Sequence, residues 1–326
     1  MPENLQLTRP WLVAVWPGMG HVGINAGVYL LSKLAMTEVA ELDTGETFDV
    51  DSVGVENGLI GPVRRPRSRL FLWRDPAGRH DLVVLVGEAQ PPAGKYAFCR
   101  RVVELAQRAG VERVFTFAAM ATQMHPSDDS RVFAAATDPA TLDEMKRLEL
   151  DVLQEGQIAG LNGVLLGVAA EAGLPGACLL GEMPHVFAQV PFPKASHGVL
   201  DAFATIAGVE LDLTELAALA RNVEEQLGEV LARVEERFGD KDDDEDEDDE
   251  DDDDEAVAAE PEEEAGEEPS PLARRPSARA RVEELFAAAA GDRSKAFELK
   301  QELDRFGLFR EYEDRFLDLF KTPDAP

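Results

Sequence analysis

An uninterrupted apolar run at residues 11–16 leads directly into a glycine-rich turn and then into a helical pattern. Several later runs are also apolar, without the polar alternation that a half-exposed strand would show. Strands of this kind are buried on both faces, so they belong in a sheet that helices cover on both sides. Helical patterns separate these runs, which is the alternation of an α/β protein. The sequence therefore predicts a three-layer α/β/α sandwich.

The predicted elements of this sandwich fill the first 207 residues. Strands are predicted at residues 11–16, 38–42, 48–55, 70–73, 82–86, 114–118 and 177–180. Helices are predicted at residues 22–36, 95–109, 139–152, 162–172 and 194–207. A turn-type sequence at residues 75–78 joins two of the strands into a hairpin, so the predicted sheet is mixed.

The turn at residues 17–23 fits the G-x-G-x-x-G pattern of dinucleotide-binding domains, and Glu41 or Asp43 follows at about the spacing expected of the ribose-binding acid. The same turn can be interpreted without a ligand. Gly18 and Gly20 permit a tight reversal, and Gly23 begins a nearly bare helix face that can pack closely on the sheet. The predicted hairpin argues against a plain dinucleotide-binding domain, and no cofactor is predicted.

Three predicted strand ends carry residues that could act on a ligand, because ligands of open α/β sheets bind at the carboxyl ends of strands. If the strands are parallel, Glu88, Glu182 and His185 would converge as an acid/base site. The alternative is that the carboxylates cap helices while neighbouring Gly and Pro residues only shape loops. The other ligand or loop positions at strand ends are Gly18, Gly20, His21, Gly23, Gln90 and Asn162.

Composition argues against several other kinds of function. Of the net charge of -32, residues 240–268 contribute -20, so the rest of the chain is only moderately acidic and offers little to a nucleic-acid backbone. Cys99 and Cys178 are far apart and are predicted to be buried thiols, and none of the five histidines has the spacing of a metal site. No apolar run reaches the length of a membrane span or a secretory signal, so a cytoplasmic protein with no membrane partner is predicted.

A long helix is predicted at residues 213–238, because apolar side chains recur there at spacings of three and four. This stripe is interpreted as packing on its own domain or, alternatively, as a seam against another subunit. The stripe consists of Leu216, Leu219, Val223, Leu227, Val230 and Val234.

Two segments of different composition follow this helix, an acidic one and then one with helical patterns. Residues 239–271 hold so many like charges and so little to bury that they are predicted to be a disordered linker, which follows an α/β core domain of residues 1–238. Residues 272–322 regain three short helical patterns that are rich in aromatic side chains. A helical segment of this size has a marginal core, so we expect it to dock on its own core domain, on a neighbouring subunit or on a partner.

Four ordered motifs resemble the proteasome assembly chaperone 2 family over roughly residues 11–225. They are the turn at residues 17–23 leading into Tyr29 and Leu30, residues 87–91 followed by Lys95 and Tyr96, the segment 156–167, and residues 191–195 running on to Val199 and Leu200. Four motifs in order are more specific than a single glycine fingerprint.

The resemblance implies a core like the phosphorylase and nucleoside phosphorylase fold. It also implies a non-catalytic, homo-oligomeric protein that binds or helps to assemble protein partners, with proteasome-type subunits as the expected partners. The alternative is a small-molecule enzyme of the hydrolase or phosphorylase type that uses Glu88, Glu182 and His185. One departure is the sequence at residues 321–326, which lacks the hydrophobic-Tyr-any-residue tail that some proteasome partners insert into the ring.

Overall fold

The computed structural model describes residues 6–43, 47–49, 53–56, 58–239 and 276–321. Its strands are β1 (Trp11–Val15), β2 (Thr37–Glu41), β3 (Val55–Glu56), β4 (Leu59–Ile60), β5 (Ser68–Trp73), β6 (Leu82–Gly87), β7 (Arg113–Thr122), β8 (Val132–Ala136), β9 (Asp151–Val152) and β10 (Gly176–Pro184). Its helices are α1 (Val22–Lys33), α2 (Lys95–Arg108), α3 (Pro139–Arg147), α4 (Gly160–Glu171), α5 (Pro193–Ala207), α6 (Thr214–Gly239), α7 (Pro276–Gly291), α8 (Ala296–Arg305) and α9 (Phe309–Asp318).

Eight of these strands form one mixed sheet in the order β2-β5-β6-β1-β7-β10-β8-β9. The central strands β6, β1, β7 and β10 are parallel, whereas β5 and β8 run antiparallel to their central neighbours. Every residue of β1, β6 and β10 is buried, because α1, α5 and α6 cover one face while α2 and α4 cover the other. The predicted α/β/α sandwich with a mixed sheet is confirmed.

Local sequence explains where the helices begin and how they pack. Asp138 caps α3, because its Oδ1 accepts the N–H of Thr141 at 3.0 Å, and Pro139 suits the first helical position. Helix α5 also starts at a proline and ends before Gly208, whose φ of +61° fits a left-handed C-terminal residue. Helix α2 buries one stripe of side chains against the sheet. This stripe consists of Phe98, Cys99, Val102, Val103 and Ala106.

The prediction of a strand at residues 48–55 is wrong for the part of that range that the structure describes. Phe48 lies in an irregular stretch and packs its ring against Phe98, with ring centroids 6.4 Å apart. Only Val55 belongs to a strand, and β3 pairs with β4 apart from the main sheet. Asp49 and Gly54 disfavour a continuous strand here. Residues 50–52 of the predicted strand lie outside the described residues.

Strand β8 is the main element that the sequence does not predict. Three of its five residues are alanines, which have little strand propensity, and its place is set by pairing with β10 and β9. The helix predicted at residues 139–152 ends earlier, at Arg147. Glu149 adopts a left-handed backbone with φ of +59°, which turns the chain into β9.

Helix α6 covers the core with only part of its apolar stripe. Leu216 and Leu227 are buried, and Leu219 and Val223 pack beside them. Val230 and Val234 remain 46% and 44% exposed. The stripe therefore packs on its own domain over the first half of the helix and is uncovered over the second half.

Residues 276–321, which contain α7, α8 and α9, form what we call the C-terminal cap. The cap docks on the core of its own chain, which is one of the three expected arrangements. The Tyr29 ring meets Phe297 edge-on with centroids 4.5 Å apart, and the N–H of Glu38 donates to the carbonyl oxygen of Phe320 at 2.8 Å. The acidic linker predicted at residues 239–271 lies outside the described residues except for Gly239, which ends α6.

Candidate functional site

The glycine-rich turn before α1 is filled by the protein's own backbone. The N–H of Gly20 donates to the carbonyl oxygen of Ala188 at 2.8 Å, and the carbonyl oxygen of Gly20 accepts from the N–H of Phe192 at 2.9 Å. The N–H of His21 donates to Gly18 at 2.9 Å. In a dinucleotide-binding turn, such N–H groups point at the pyrophosphate. Here the Gly20 N–H donates to the loop before α5 and the His21 N–H donates within the turn, so the turn acts as a structural junction.

Two of the glycines in this turn are required by the backbone. Gly20 has φ of +58°, and a Cβ there would lie 2.6 Å from the Met183 sulfur. A Cβ on Gly23 would overlap the carbonyl oxygen of Phe117, so α1 lies directly against β7. Gly18 is extended, with no atom near its missing Cβ. The close packing of the first helix on the sheet, which the sequence suggests, is present at Gly23.

Gln90 and Asn162 lie beside the same turn. The Gln90 side chain donates from Nε2 to the carbonyl oxygen of Pro17 at 3.1 Å and accepts the N–H of Leu161 at 2.8 Å. It therefore satisfies a backbone N–H at the N-terminus of α4. The carbonyl oxygen of Asn162 accepts from the Thr116 hydroxyl at 3.2 Å. The structure brings these predicted positions together, with Gln90 as the link between them.

Glu182 and His185 both contact Thr122. The Glu182 carboxylate is 3% exposed and accepts from the Thr122 hydroxyl at 2.9 Å and from two Arg131 nitrogens at 2.8 Å each. The Arg131 hydrogen bonds hold the pKa of Glu182 below its ordinary value. His185 is exposed, and its Nδ1 lies 3.2 Å from the carbonyl oxygen of Thr122. Glu182 is therefore ionised at neutral pH and has no proton to give as a general acid.

Glu88 lies on the other face of the sheet from Glu182. Because side chains alternate along a strand, Glu88 shares the face of Val86 while Glu182 shares the face of Leu180, and these belong to cores on opposite sides. Strands β1 and β7 also separate β6 from β10. The structure therefore does not bring Glu88 together with Glu182 and His185 into the expected acid/base site.

A buried charge cluster beneath the cap is the feature that sequence reasoning missed. Arg69 of β5 is fully buried, and its Nη1 donates to Asp318 at 2.7 Å while its Nη2 donates to Asp314 of α9. The carboxylates of Glu38 and Glu88 lie 3.6 and 3.8 Å from the same guanidinium. The core thus supplies Arg69 and two acids, and the cap supplies the other two acids. Asp314 also pairs with Arg64 and Arg67 of the core.

Two more titratable side chains of the cap are buried nearby. Burial, together with the Glu88 carboxylate, raises the pKa of Glu313 to about 8, so Glu313 is largely protonated at neutral pH. Lys300 is 1% exposed and donates to Asn25 at 3.0 Å and to Asp304 at 2.6 Å. The hydrogen bond from Lys300 to Asn25 thus joins the cap to helix α1 of the core.

The sequence does carry a signal for this cluster. Glu313 stands at helical spacing from Phe309 and Phe316, on the stripe of α9 that faces the core. Arg69 stands among the apolar residues of β5. A charged residue at a position meant for burial is rare unless it is paired, so both residues indicate a partner elsewhere in the chain.

A second surface stands out because its apolar side chains are exposed. We call residues 53–56 and 58–63, which contain β3 and β4, the apolar hairpin. Leu59 and Ile60 are 74% and 75% exposed. The exposed apolar residues of this segment are Val53, Val55, Leu59, Ile60 and Val63. Clusters of this kind on a folded protein mark contact surfaces.

Within the described ranges, no three His, Cys, Asp or Glu side chains are grouped to hold a metal ion. The same part of the chain has no helix of the length and hydropathy that a bilayer span needs. Cys99 and Cys178 are buried free thiols, and burial raises the pKa of each to about 12. Neither thiol is therefore a reactive thiolate at neutral pH.

Comparison with known proteins identifies the family. The profile of the PAC2 family matches residues 12–231, well over half of the chain. The chain belongs to the PAC2 family. Uncharacterized protein MJ1210 of Methanocaldococcus jannaschii is 26% identical to this PAC2 protein over 224 residues, which cover 67% of this chain and 82% of that protein.

Solved structures share the PAC2 fold. PbaB of Pyrococcus furiosus, an archaeal proteasome activator, is 26% identical with a TM-score of 0.60, and the match covers 71% of this chain and 96% of that chain. The proteasome-assembly chaperone homologue Rv2125 of Mycobacterium tuberculosis is 21% identical with a TM-score of 0.60, over 68% of this chain and 95% of that chain. The PAC2 family match ends within α6, so the C-terminal cap lies outside it.

Proposed function

We propose that this PAC2 protein is a non-catalytic, homo-oligomeric scaffold of the cytoplasm that binds proteasome-type subunits and assists their assembly. Two structural neighbours support this reading, because PbaB is a proteasome activator and Rv2125 is a proteasome-assembly chaperone homologue. The observation on this chain that carries the proposal is the apolar hairpin.

The apolar hairpin has the properties of a protein contact surface. Strand β3 pairs with β4 and not with the main sheet, so the hairpin can bind a partner without disturbing the core. Burying one Val, Leu or Ile side chain contributes roughly 1.5–3 kcal/mol, so a partner that covers Leu59, Ile60 and Val63 gains several kcal/mol. Arg64 and Arg65 follow directly and are exposed, which supplies the polar rim that such interfaces usually have.

The test is retention of proteasome-type subunits. Tagged full-length protein is expressed with the proteasome α and β subunits of its own source organism, and the captured subunits are measured by quantitative mass spectrometry. We expect Leu59→Asp/Ile60→Asp to lower capture at least tenfold with little change in thermal stability, because these side chains are already in solvent. The matched control is Val186→Asp, at a residue 55% exposed elsewhere on the surface, which should leave capture unchanged.

Two results would count against the proposed function. One is that the unaltered chain captures no proteasome-type subunit. The other is that the hairpin variant captures as much as the unaltered chain, which would remove the apolar hairpin from the interface.

The exposed end of the α6 stripe supports the homo-oligomer. Val230 and Val234 continue the stripe that Leu216 and Leu227 begin, and pairing with the same helix of a second copy would cover them. We expect Val230→Glu/Val234→Glu to lower the mass measured by size-exclusion chromatography with light scattering. An unchanged mass would place the subunit contact on another surface.

A further inference from the structure

Helix α9 shows what kind of segment the core face beneath the cap accepts. The two terminal nitrogens of Arg69 contact Asp314 and Asp318, carboxylates that stand one helical turn apart. Phe320 meets Phe71 of the sheet edge-on at 6.1 Å, and Phe316 meets Phe320 at 5.8 Å. The face therefore recognises two carboxylates four residues apart, each followed two positions later by an aromatic ring.

The core face lies inside the region that matches the PAC2 family, whereas helix α9, which covers it, lies outside that region. Arg69, Phe71 and Glu88 lie inside the PAC2 match of residues 12–231, whereas α9 lies outside it. Arg69 and Asp318 are also 249 residues apart in the chain. The face thus lies within the part of the chain that matches the family, and the cap that covers it lies outside that part.

The fit of α9 to this face is incomplete. Within the described residues, Nε of Arg69, Oε1 of Glu88 and Oε1 of Glu313 are buried without a hydrogen bond. A buried polar atom without a partner weakens the docking of the segment that carries it. A helix with the same carboxylates and aromatic rings, but with a neutral residue at the place of Glu313, would fit better than α9 does.

We propose that this core face is a docking site for an acidic, aromatic helix of a partner protein, and that α9 is a resident occupant which the partner displaces. The partner helix carries the pattern Asp-x-Phe-x-Asp-x-Phe of residues 314–320, or a close equivalent with Glu or Tyr, and a neutral residue before it. The idea rests on the proposed function, because it requires a protein partner.

Raising the pH should loosen the resident cap. Glu313 faces Glu88 at the end of β6, Arg69 of β5, Lys300 of α8 and Arg310 of its own helix. Because burial raises the pKa of Glu313, the docked cap keeps at neutral pH a proton that the carboxyl group of the released cap has already lost in mild acid. Docking is therefore strongest in mild acid and weakens as the pH rises to about 8.

The test uses a fluorescein-labelled peptide of residues 306–321 that carries Glu313→Gln, with binding followed by fluorescence anisotropy. The full-length Asp314→Asn/Asp318→Asn chain has a weakened occupant and should bind this probe at least tenfold more tightly than the unaltered chain at pH 7. A probe that also carries Asp314→Asn/Asp318→Asn should bind at least tenfold more weakly. Adding Arg69→Met to the weakened chain should abolish binding, and the matched control Arg65→Met, at an exposed arginine of the same region, should not.

A second measurement starts from the unaltered cap. The unaltered full-length chain should bind the probe at least tenfold more tightly at pH 9 than at pH 6, and the full-length Glu313→Gln chain should lose this gain. Equal binding to the unaltered and weakened chains, binding that survives Arg69→Met, or affinity independent of pH in the unaltered chain would each overturn the docking site. Because the probe assay contains no proteasome subunit, its failure is distinct from failure of the subunit capture.

Discussion

Replacing Gly23 with alanine should destabilise the core, and the structure sets the size of the loss. A Cβ at Gly23 would overlap the carbonyl oxygen of Phe117 and lie 3.2 Å from its carbonyl carbon. Both atoms belong to the backbone of β7, so no side-chain rotation can relieve the contact and α1 must move off the sheet. Overpacking of this severity costs about 3 kcal/mol. Alanine has the higher helix propensity, which returns about 1 kcal/mol and leaves a net loss of about 2 kcal/mol.

The assay is urea unfolding followed by circular dichroism, with Gly167→Ala as the matched control. Gly167 is also a helical glycine, in α4, but no atom lies within 4 Å of its missing Cβ. Its replacement should therefore stabilise the chain by about 0.5–1 kcal/mol through helix propensity alone. If Gly23→Ala keeps or raises the unfolding midpoint, α1 does not lie as close to β7 as described here. Equal losses in both variants would show that the close contact with Phe117 is not the cause.

Two further changes test how the charged residues stabilise the fold. Lys300→Met should destabilise cap docking by about 3 kcal/mol in thermal melts, because it leaves Asp304 and the buried Asn25 without their cation, and adding Asp304→Leu should recover part of the loss. Asp138→Ala should cost about 1 kcal/mol at pH 7. Hydrogen bonds from Thr141 hold the pKa of Asp138 below its ordinary value, so the difference from the unaltered chain should shrink as the pH falls below about 4. A constant difference down to pH 2 would contradict this account.

The sequence predicts best the elements whose signal is local. The strand before the glycine turn and the helix after it are both present, because an apolar run and a bare glycine face need no distant partner to be recognised. Strand β8 is not predictable in this way. Its alanines take strand geometry because β10 and β9 lie on either side of them.

The candidate site depends on information that local patterns do not hold. Residue types and strand ends suggest that Glu88 and Glu182 meet. The face of the sheet on which each side chain lies, however, depends on the register of its strand against the neighbouring strands. The pairing of Arg69 with Asp318 joins residues 249 positions apart, and each charge alone looks misplaced. The burial of Glu313 and the influence of Glu88 on its pKa likewise depend on how the cap docks on the core.

The hydrogen bond from the N–H of Glu38 to the carbonyl oxygen of Phe320 has a consequence for self-association. Strand β2 forms one border of the sheet, and the described strand at the other border, β9, is two residues long. Long open borders allow sheets of separate molecules to join strand by strand into fibres. Here the end of the cap accepts a hydrogen bond from a backbone N–H of β2. The other border strand, β9, is too short to pair well with a strand of another molecule. Both borders are therefore poor templates for joining the sheets of separate copies, which favours contacts between copies through helices and loops.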